Sequence, residues 1–198
     1  MNSLETVYRL IDGEREYQAR RWPGHSHNVA AYLTYMHRYL HIACEVDSTT
    51  GYTNTAHFLY ARGAMRKIAT LAVACMEDNG VLYRLPPPTV GESIVKFFTG
   101  ESPVIRQRIE PVGRGLAYLA INQELKFQGW EEEDDTHEFS ESLTLLRHRL
   151  RVADQAWDLE RSAEPVLYQV RIIGAIAVRA IALHGAPRRE MPVKVFAA

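Results

Sequence analysis

One fifteen-residue pattern occurs twice in this sequence, and this repetition constrains the fold more than any other feature. Residues 66–80 read RKIATLAVACMEDNG, and residues 171–185 read RIIGAIAVRAIALHG. The two stretches align without a gap, with the same residue at each end and an apolar run between. Each is typical of a helix that is apolar on most faces and that ends before a glycine. Because such a helix has to be buried among other helices, the core is predicted to occur twice.

The repetition extends towards the N-terminal side of each pattern. Residues 8–18, YRLIDGEREYQ, align with residues 118–128, YLAINQELKFQ. A tryptophan and then a histidine follow each copy: Trp22 and His27 in the first, Trp130 and His137 in the second. A second helical pattern comes next in both copies, before the apolar stretch. We therefore interpret the chain as a tandem duplication of a three-helix module.

The patterns predict an all-α helical bundle in which the two modules pack as one globular unit. The predicted helices are 4–21, 27–46, 55–79, 112–128, 137–159 and 165–184. Gly63 is expected to mark a kink or a break in the third of them. The predicted organisation is a first module at 1–84, a linker with short helices at 85–113, a second module at 114–189 and a C-terminal arm at 190–198.

Composition and charge limit the class of protein. The sequence is 46% hydrophobic and 24% charged, as in ordinary globular proteins. A net charge of −1 without a long basic run argues against a dedicated nucleic-acid surface. The longest apolar run, near 172–183, contains Arg179, so no membrane span is predicted. Cys44 and Cys75 lie in apolar helical patterns, which favours buried free thiols and a cytoplasmic location, in a bacterium or in a phage-infected host cell.

A few polar residues recur at aligned positions of both copies, and these are the first candidates for a site. The aligned pairs are Glu14 and Glu124, Gln18 and Gln128, His27 and His137, and Arg66 and Arg171. The recurring acid and arginine either form a buried ion pair or belong to a ligand site. The recurring tryptophans either stack on a base or pack the corner between two helices. The sequence leaves both alternatives open.

An acidic segment of the second copy is the densest cluster of oxygen ligands. Asp134 and Asp135 lie in a loop, and Glu138 and Glu141 follow three residues apart at the start of a helix. Mg²⁺ needs few protein carboxylates when phosphate oxygens and waters complete its shell. The alternative is a solvated loop whose acids lie at a helix N-terminus, where the helix dipole favours negative charge.

The motifs resemble a known family. The first copy, with EREYQARRWPGHSHNV and RKIATLAVACMEDNG, resembles MazG-like proteins of phages and bacteria. The second copy, with LKFQGWEEEDDTHEF and RIIGAIAVRAIALHG, is similar to related proteins. The resemblance covers residues 7–80 and 118–189. It implies an all-α nucleoside triphosphate pyrophosphohydrolase that releases monophosphate and pyrophosphate, with a Mg²⁺-dependent site among the helices and homo-oligomerisation through bundle packing.

The chain departs from that superfamily at the metal site. The superfamily pattern places E-x-x-E on one helix and E-x-x-D on the next, and the two pairs bind Mg²⁺ together. Glu138 and Glu141 match the first half, but the last helix has no carboxylate after Glu164. In the first copy the corresponding helices carry no carboxylate before Glu45 and Glu77. The metal quartet is therefore incomplete in the first copy, whereas in the second copy Asp154 and Asp158 are the candidates for the missing half.

Two functions follow from these residues, and a purely structural interaction module is the third alternative. The first is a Mg²⁺-dependent pyrophosphohydrolase with Glu138, Glu141, Asp134 and Asp135 at the metal and Glu14 or Glu124 completing the catalytic site. The second is a catalytically degenerate protein that binds or sequesters a nucleotide or a host protein. Its nucleotide-binding candidates are Arg66, Lys67 and Arg171 for phosphates, Trp22 and Trp130 for the base, and Gln18, Gln128, His27 and His137.

Overall fold

The computed structural model describes residues 2–24, 26–50, 55–83, 110–130 and 137–189. All regular secondary structure within these ranges is α-helical. The helices are α1 Leu4–Arg21, α2 Val29–Thr50, α3 Thr55–Asn79, α4 Arg114–Phe127, α5 Phe139–Glu160 and α6 Ala163–His184. The all-α fold class predicted from the sequence is confirmed.

Most helix boundaries agree with the sequence patterns within two residues, but α2 ends at Thr50, four residues beyond the predicted end at 46. Helices α1 and α3 begin and end at the predicted residues, and α3 continues through Gly63, so a break at this glycine is excluded. Helix α6 begins two residues earlier than predicted, because Ser162 Oγ accepts the Glu164 N–H and Pro165 is tolerated in the first turn. Most of the predicted linker at 85–113 and the arm at 190–198 lie outside the described residues.

Helices α3 and α6 form the centre of the bundle. Helices α1 and α2 pack on α3, whereas α4 and α5 pack on α6. The central helices contact each other, and α2 contacts α5. The buried apolar side chains of α3 and α6 belong to one continuous core. The two repeated apolar stretches therefore occupy the interior, as their composition predicts.

Helix α6 is the most deeply buried element. By length and composition it is the one helix of the described residues that could cross a membrane, yet 83% of its apolar window is buried inside the protein. A Cβ added at Gly174 would lie 3.1 Å from Cδ1 of Ile121 on α4 and 3.4 Å from Cβ of Ala72 on α3. Glycine at this position therefore allows three helices to meet closely.

Candidate functional site

Two buried ion pairs connect the repeated acids and arginines. Glu14 Oε2 lies 2.9 Å from Arg66 Nη2, and Glu124 Oε2 lies 3.2 Å from Arg171 Nε. All four side chains are at most 4% exposed. A charge buried away from water is stable only beside its partner, and the first pair links α1 to α3 while the second links α4 to α6. The ion-pair alternative for the recurring acid and arginine is confirmed.

A cavity of about 610 Å³ lies between the C-terminal part of α1, the N-terminal half of α2 and α3. This size is within the range of small-molecule sites. Its aromatic lining consists of Trp22, His27, Tyr32, Tyr35 and Tyr39. Its polar lining consists of Arg15, Gln18 and Arg38. Three of the nucleotide-binding residues predicted from the sequence, Gln18, Trp22 and His27, are therefore brought together.

The sequence builds this cavity from one turn and one helix face. Helix α1 ends before Pro23, and Gly24 adopts the left-handed conformation with φ of 72°, so the chain turns away and leaves Trp22 at the rim. On α2, Tyr32, Tyr35 and Tyr39 are three and four residues apart and share one face. These tyrosines, with Arg15 and Arg38, were missed by the sequence reasoning, although their helical spacing was a visible signal.

The C-terminal end of α3 fixes the wall of the cavity. Asp78 Oδ2 accepts the backbone N–H of His27 at 3.2 Å and the hydroxyl of Tyr32. Asn79 Nδ2 donates to the carbonyl of His27 at 2.9 Å. Burial and the bond to Asp78 raise the pKa of Tyr32, so its hydroxyl stays a neutral donor. The loop before α2 is therefore held in place before any ligand arrives.

The cavity lining carries positive charge. Arg15 Nη2 lies 2.7 Å from Glu77 Oε2, and Arg15 Nη1 donates to Gln18 Oε1 at 3.0 Å. Arg38 also lines the cavity, and none of the described lining residues is acidic. Lys67 lies beside this lining, with Nζ 4.7 Å from the centre of the Tyr39 ring. Cations next to aromatic faces suit a ligand with a planar ring and a negative charge.

The corresponding residues of the second copy lie elsewhere. Gln128 Nε2 donates to Glu124 at 3.1 Å, and Trp130 packs against the core. His137 Nδ1 lies 2.8 Å from Arg179 Nη2. Arg171 is fully buried, and its Nη1 donates to a backbone carbonyl. None of these residues belongs to the described lining of the cavity.

Glu138 and Glu141 form the N-terminal cap of α5. The Glu138 side chain accepts a backbone N–H of the first turn, and Glu141 Oε2 accepts the Glu138 N–H at 2.9 Å. This reciprocal arrangement is a capping box, which satisfies helix donors that would otherwise have no partner. Asp134 and Asp135 lie outside the described residues.

The acids predicted to bind magnesium do not lie together as a metal-binding group in the described residues. The described residues contain no group of three or more His, Cys, Asp or Glu side chains placed to hold a metal ion. Glu14 and Glu124 are committed to buried ion pairs, and Glu138 and Glu141 to the cap. The described part of the chain does not by itself fit a magnesium site, so the magnesium assignment stays a prediction.

The sequence and the structure were compared with known proteins, and no relative was found. No protein-family model matches the sequence, and neither curated proteins nor solved structures give a match. The resemblance to MazG-like proteins therefore rests on the short motifs alone, and the functional argument rests on the geometry of the cavity.

Proposed function

We propose that this protein binds a nucleotide in the cavity between α1, α2 and α3. The observation that carries the proposal is the combination of exposed aromatic faces with arginines in one cavity without a described acid. Stacking of a base on an aromatic side chain contributes about 1–3 kcal/mol, and arginine binds phosphate oxygens through two parallel bonds. The aromatic side chains can therefore contact the base, and the arginines can contact the phosphate.

Different side chains of the cavity would contact the base and the phosphate. Trp22 is 49% exposed and Tyr35 is 39% exposed, so part of each side chain is accessible to a base. Arg38 is the better phosphate ligand of the two lining arginines, because Arg15 is already bound to Glu77. Tyr32 is committed to Asp78 and supports the wall.

We further infer that the chain is a duplicated MazG-like protein whose first copy has kept the ligand site. The ion pairs of Arg66 and Arg171 support this, because they lie at aligned positions of the repeat. The packing of α1 and α2 on α3 parallels that of α4 and α5 on α6. The nucleotide-binding candidates of the second copy instead make contacts within the fold.

The geometry favours binding without hydrolysis over the Mg²⁺-dependent pyrophosphohydrolase that the resemblance implies. Hydrolysis needs a metal or a base to activate water beside the phosphorus. The described acids that were predicted for this chemistry are engaged in ion pairs or in a helix cap. A protein of this kind sequesters its nucleotide and leaves it intact.

Isothermal titration calorimetry in EDTA, with a panel of nucleoside triphosphates, tests the proposal. At least one should bind, and Tyr35→Ala should weaken it by about tenfold or more through lost stacking. Tyr168→Ala is the matched control, since Tyr168 on α6 is 38% exposed and does not line the cavity. Absence of binding by every nucleotide, or equal loss in both variants, would overturn the proposal.

A second pair of variants tests the phosphate contact and the fate of the ligand. Arg38→Gln should weaken binding, whereas Arg151→Gln, an exposed position on α5, should not. With Mg²⁺ added, chromatography should recover the nucleotide intact. Pyrophosphate release that disappears in Glu138→Gln/Glu141→Gln would instead establish the hydrolase.

A further inference from the structure

A group of cations lies one helical turn from the lining of the cavity. Gln18 on α1 and Leu71 on α3 line the cavity, and Glu14 and Lys67 precede them by four residues on the same helix faces. The Lys67 ammonium lies over Tyr39, which also lines the cavity. The group is therefore continuous with the proposed nucleotide site. We call it the cation cluster, and its members are Arg38, Arg66, Lys67 and Arg189.

The cation cluster surrounds a single carboxylate. Arg66 Nη2 lies 2.9 Å from Glu14 Oε2, and Arg189 Nε lies 4.0 Å from the same oxygen. Burial lowers the pKa of Lys67, and the charges of Arg38, Arg66 and Arg189 lower it further, whereas the carboxylate of Glu14 raises it. Among the described residues this group contains one negative and four positive side chains, so the cluster has an excess of positive charge in a half-buried place.

Two donors of the cluster are left without a hydrogen bond. Arg66 Nη1 and Arg189 Nε are buried and have no hydrogen-bond partner among the described residues. The Arg66 side chain is only 4% exposed, so water cannot easily replace a partner there. A buried donor without an acceptor costs free energy, and acceptor oxygens from a ligand would remove that cost.

Arg189 connects the cluster to the aromatic end of the cavity. Its Cζ lies 3.7 Å from the centre of the Tyr17 ring. Tyr17 in turn contacts Trp22 edge-on, with ring centroids 6.2 Å apart, and Trp22 lines the cavity. A ligand whose base lies against Trp22 therefore has cations within reach of its far end.

The second copy shows that the fold does not need this excess of cations. Arg171 keeps the buried pair with Glu124, but the residue aligned with Lys67 is Ile172, which is buried. The Nη1 atom of Arg171 donates to the carbonyl of Leu82. The second copy therefore packs with an apolar residue at the position of Lys67, and packing alone does not require the lysine.

We propose that the cation cluster is a subsite for a phosphate chain, so that the ligand is a nucleoside di- or triphosphate. This inference rests on the proposed nucleotide binding and adds the length of the phosphate chain to it. The described residues of the cluster carry a net charge of about three positive units, whereas a monophosphate carries only about 1.5–2 negative charges, so the longer di- or triphosphate chain matches the cluster better. The same chemistry would accept free inorganic triphosphate, and the test separates the two sources.

The test is calorimetry in EDTA with mono-, di- and triphosphates of adenosine, guanosine, cytidine and uridine, and with inorganic triphosphate. For the preferred base, the triphosphate should bind about tenfold or more tightly than the monophosphate. Lys67→Ile copies the second copy's residue and should abolish most of this difference. Arg189→Gln, at a partly exposed position, should also abolish most of the preference for the triphosphate. Lys126→Gln, at an exposed position on α4, should leave the affinity unchanged.

The outcomes separate this inference from the proposed function. Equal binding of mono- and triphosphate, or full affinity in both Lys67→Ile and Arg189→Gln, would overturn the subsite and leave nucleotide binding standing. Inorganic triphosphate that binds in a Lys67-dependent manner, and as tightly as any nucleotide, would support the subsite and overturn nucleotide recognition. Absence of binding by every compound would overturn both.

Discussion

Tyr8 on α1 and Tyr118 on α4 stack with ring centroids 4.2 Å apart, and each hydroxyl donates across the contact. Tyr8 donates to Asn122 Oδ1, and Tyr118 donates to Asp12 Oδ1 at 2.8 Å. Tyr8 aligns with Tyr118 and Asp12 with Asn122 in the sequence repeat. The bonds are therefore exchanged between equivalent positions, which is the arrangement that the proposed duplication produces when two copies meet about a local two-fold axis.

Removing either hydroxyl should destabilise the contact between α1 and α4. Tyr8→Phe and Tyr118→Phe should each lower the free energy of unfolding by about 1 kcal/mol, because each leaves an acceptor without its donor. Tyr118→Phe should be the milder change, since Arg114 Nη1 still lies 2.8 Å from Asp12. Urea unfolding measures both values. An unchanged free energy of unfolding in both variants would show that the two exchanged hydrogen bonds do not stabilise the fold.

The same tyrosines predict a decline in stability at alkaline pH. Burial raises the pKa of Tyr8, and burial together with the bond to Asp12 raises the pKa of Tyr118. A tyrosine whose pKa is higher in the folded than in the unfolded protein contributes its full stabilisation below the unfolded pKa, which is about 10. This contribution to the unfolding free energy is lost as the pH rises from there towards the folded pKa. The unfolding free energy should therefore fall above about pH 10, and less steeply in Tyr118→Phe. An equal slope in that variant would contradict the assignment.

Breaking a buried ion pair should cost far more than replacing it. Arg171→Met leaves Glu124 charged and buried, so the unfolding free energy should fall by about 3–5 kcal/mol. Arg171→Met/Glu124→Leu should cost clearly less than the single change, because no unpaired charge remains. Denaturant unfolding of both variants and of Arg66→Met measures the free energies of unfolding to be compared. A double variant at least as unstable as the single one would mean that the pair acts through more than its charges.

Two helical glycines should respond oppositely to alanine. A Cβ at Gly13 in α1 would meet nothing within 4 Å, so Gly13→Ala should stabilise the protein by about 0.5–1 kcal/mol through helix propensity. A Cβ at Gly174 would press on Ile121 at 3.1 Å, so Gly174→Ala should gain less or lose stability. Thermal unfolding should place Gly13→Ala above Gly174→Ala. The reverse order would contradict the close approach of α4 and α6.

The elements of the fold were largely predictable from the sequence. The bounds of α1 and α3 follow from helical spacing, from Pro23-Gly24 after α1 and from Gly80 after α3. The ion pairs could be foreseen as one of two alternatives, because an acid and an arginine recur at aligned positions. The alternative of a break at Gly63 was wrong, since packing of α3 against its neighbours outweighs the propensity of one glycine.

The candidate site was only partly predictable. In the sequence, Tyr39 belongs to an apolar stripe along its helix. Whether such a stripe faces the core or a cavity depends on how α1 crosses α2, which the sequence does not show. Glu138 and Glu141 fit a metal pair and a capping box equally well in sequence, and the backbone contacts show the cap. Magnesium, homo-oligomerisation, a host-protein partner and the cytoplasmic location stay predictions, since no described contact tests them.

The fluorescence of Trp22 provides the most direct measurement of the central claim, that a nucleotide binds in this cavity. Nucleoside triphosphates would be titrated in EDTA against the intact protein and against Trp22→Phe, with excitation restricted to tryptophan. The account predicts saturable quenching that Trp22→Phe abolishes, because a base stacks on a ring that is 49% exposed at the rim. Quenching of equal size in Trp22→Phe, or no saturable change with any nucleotide, would contradict it.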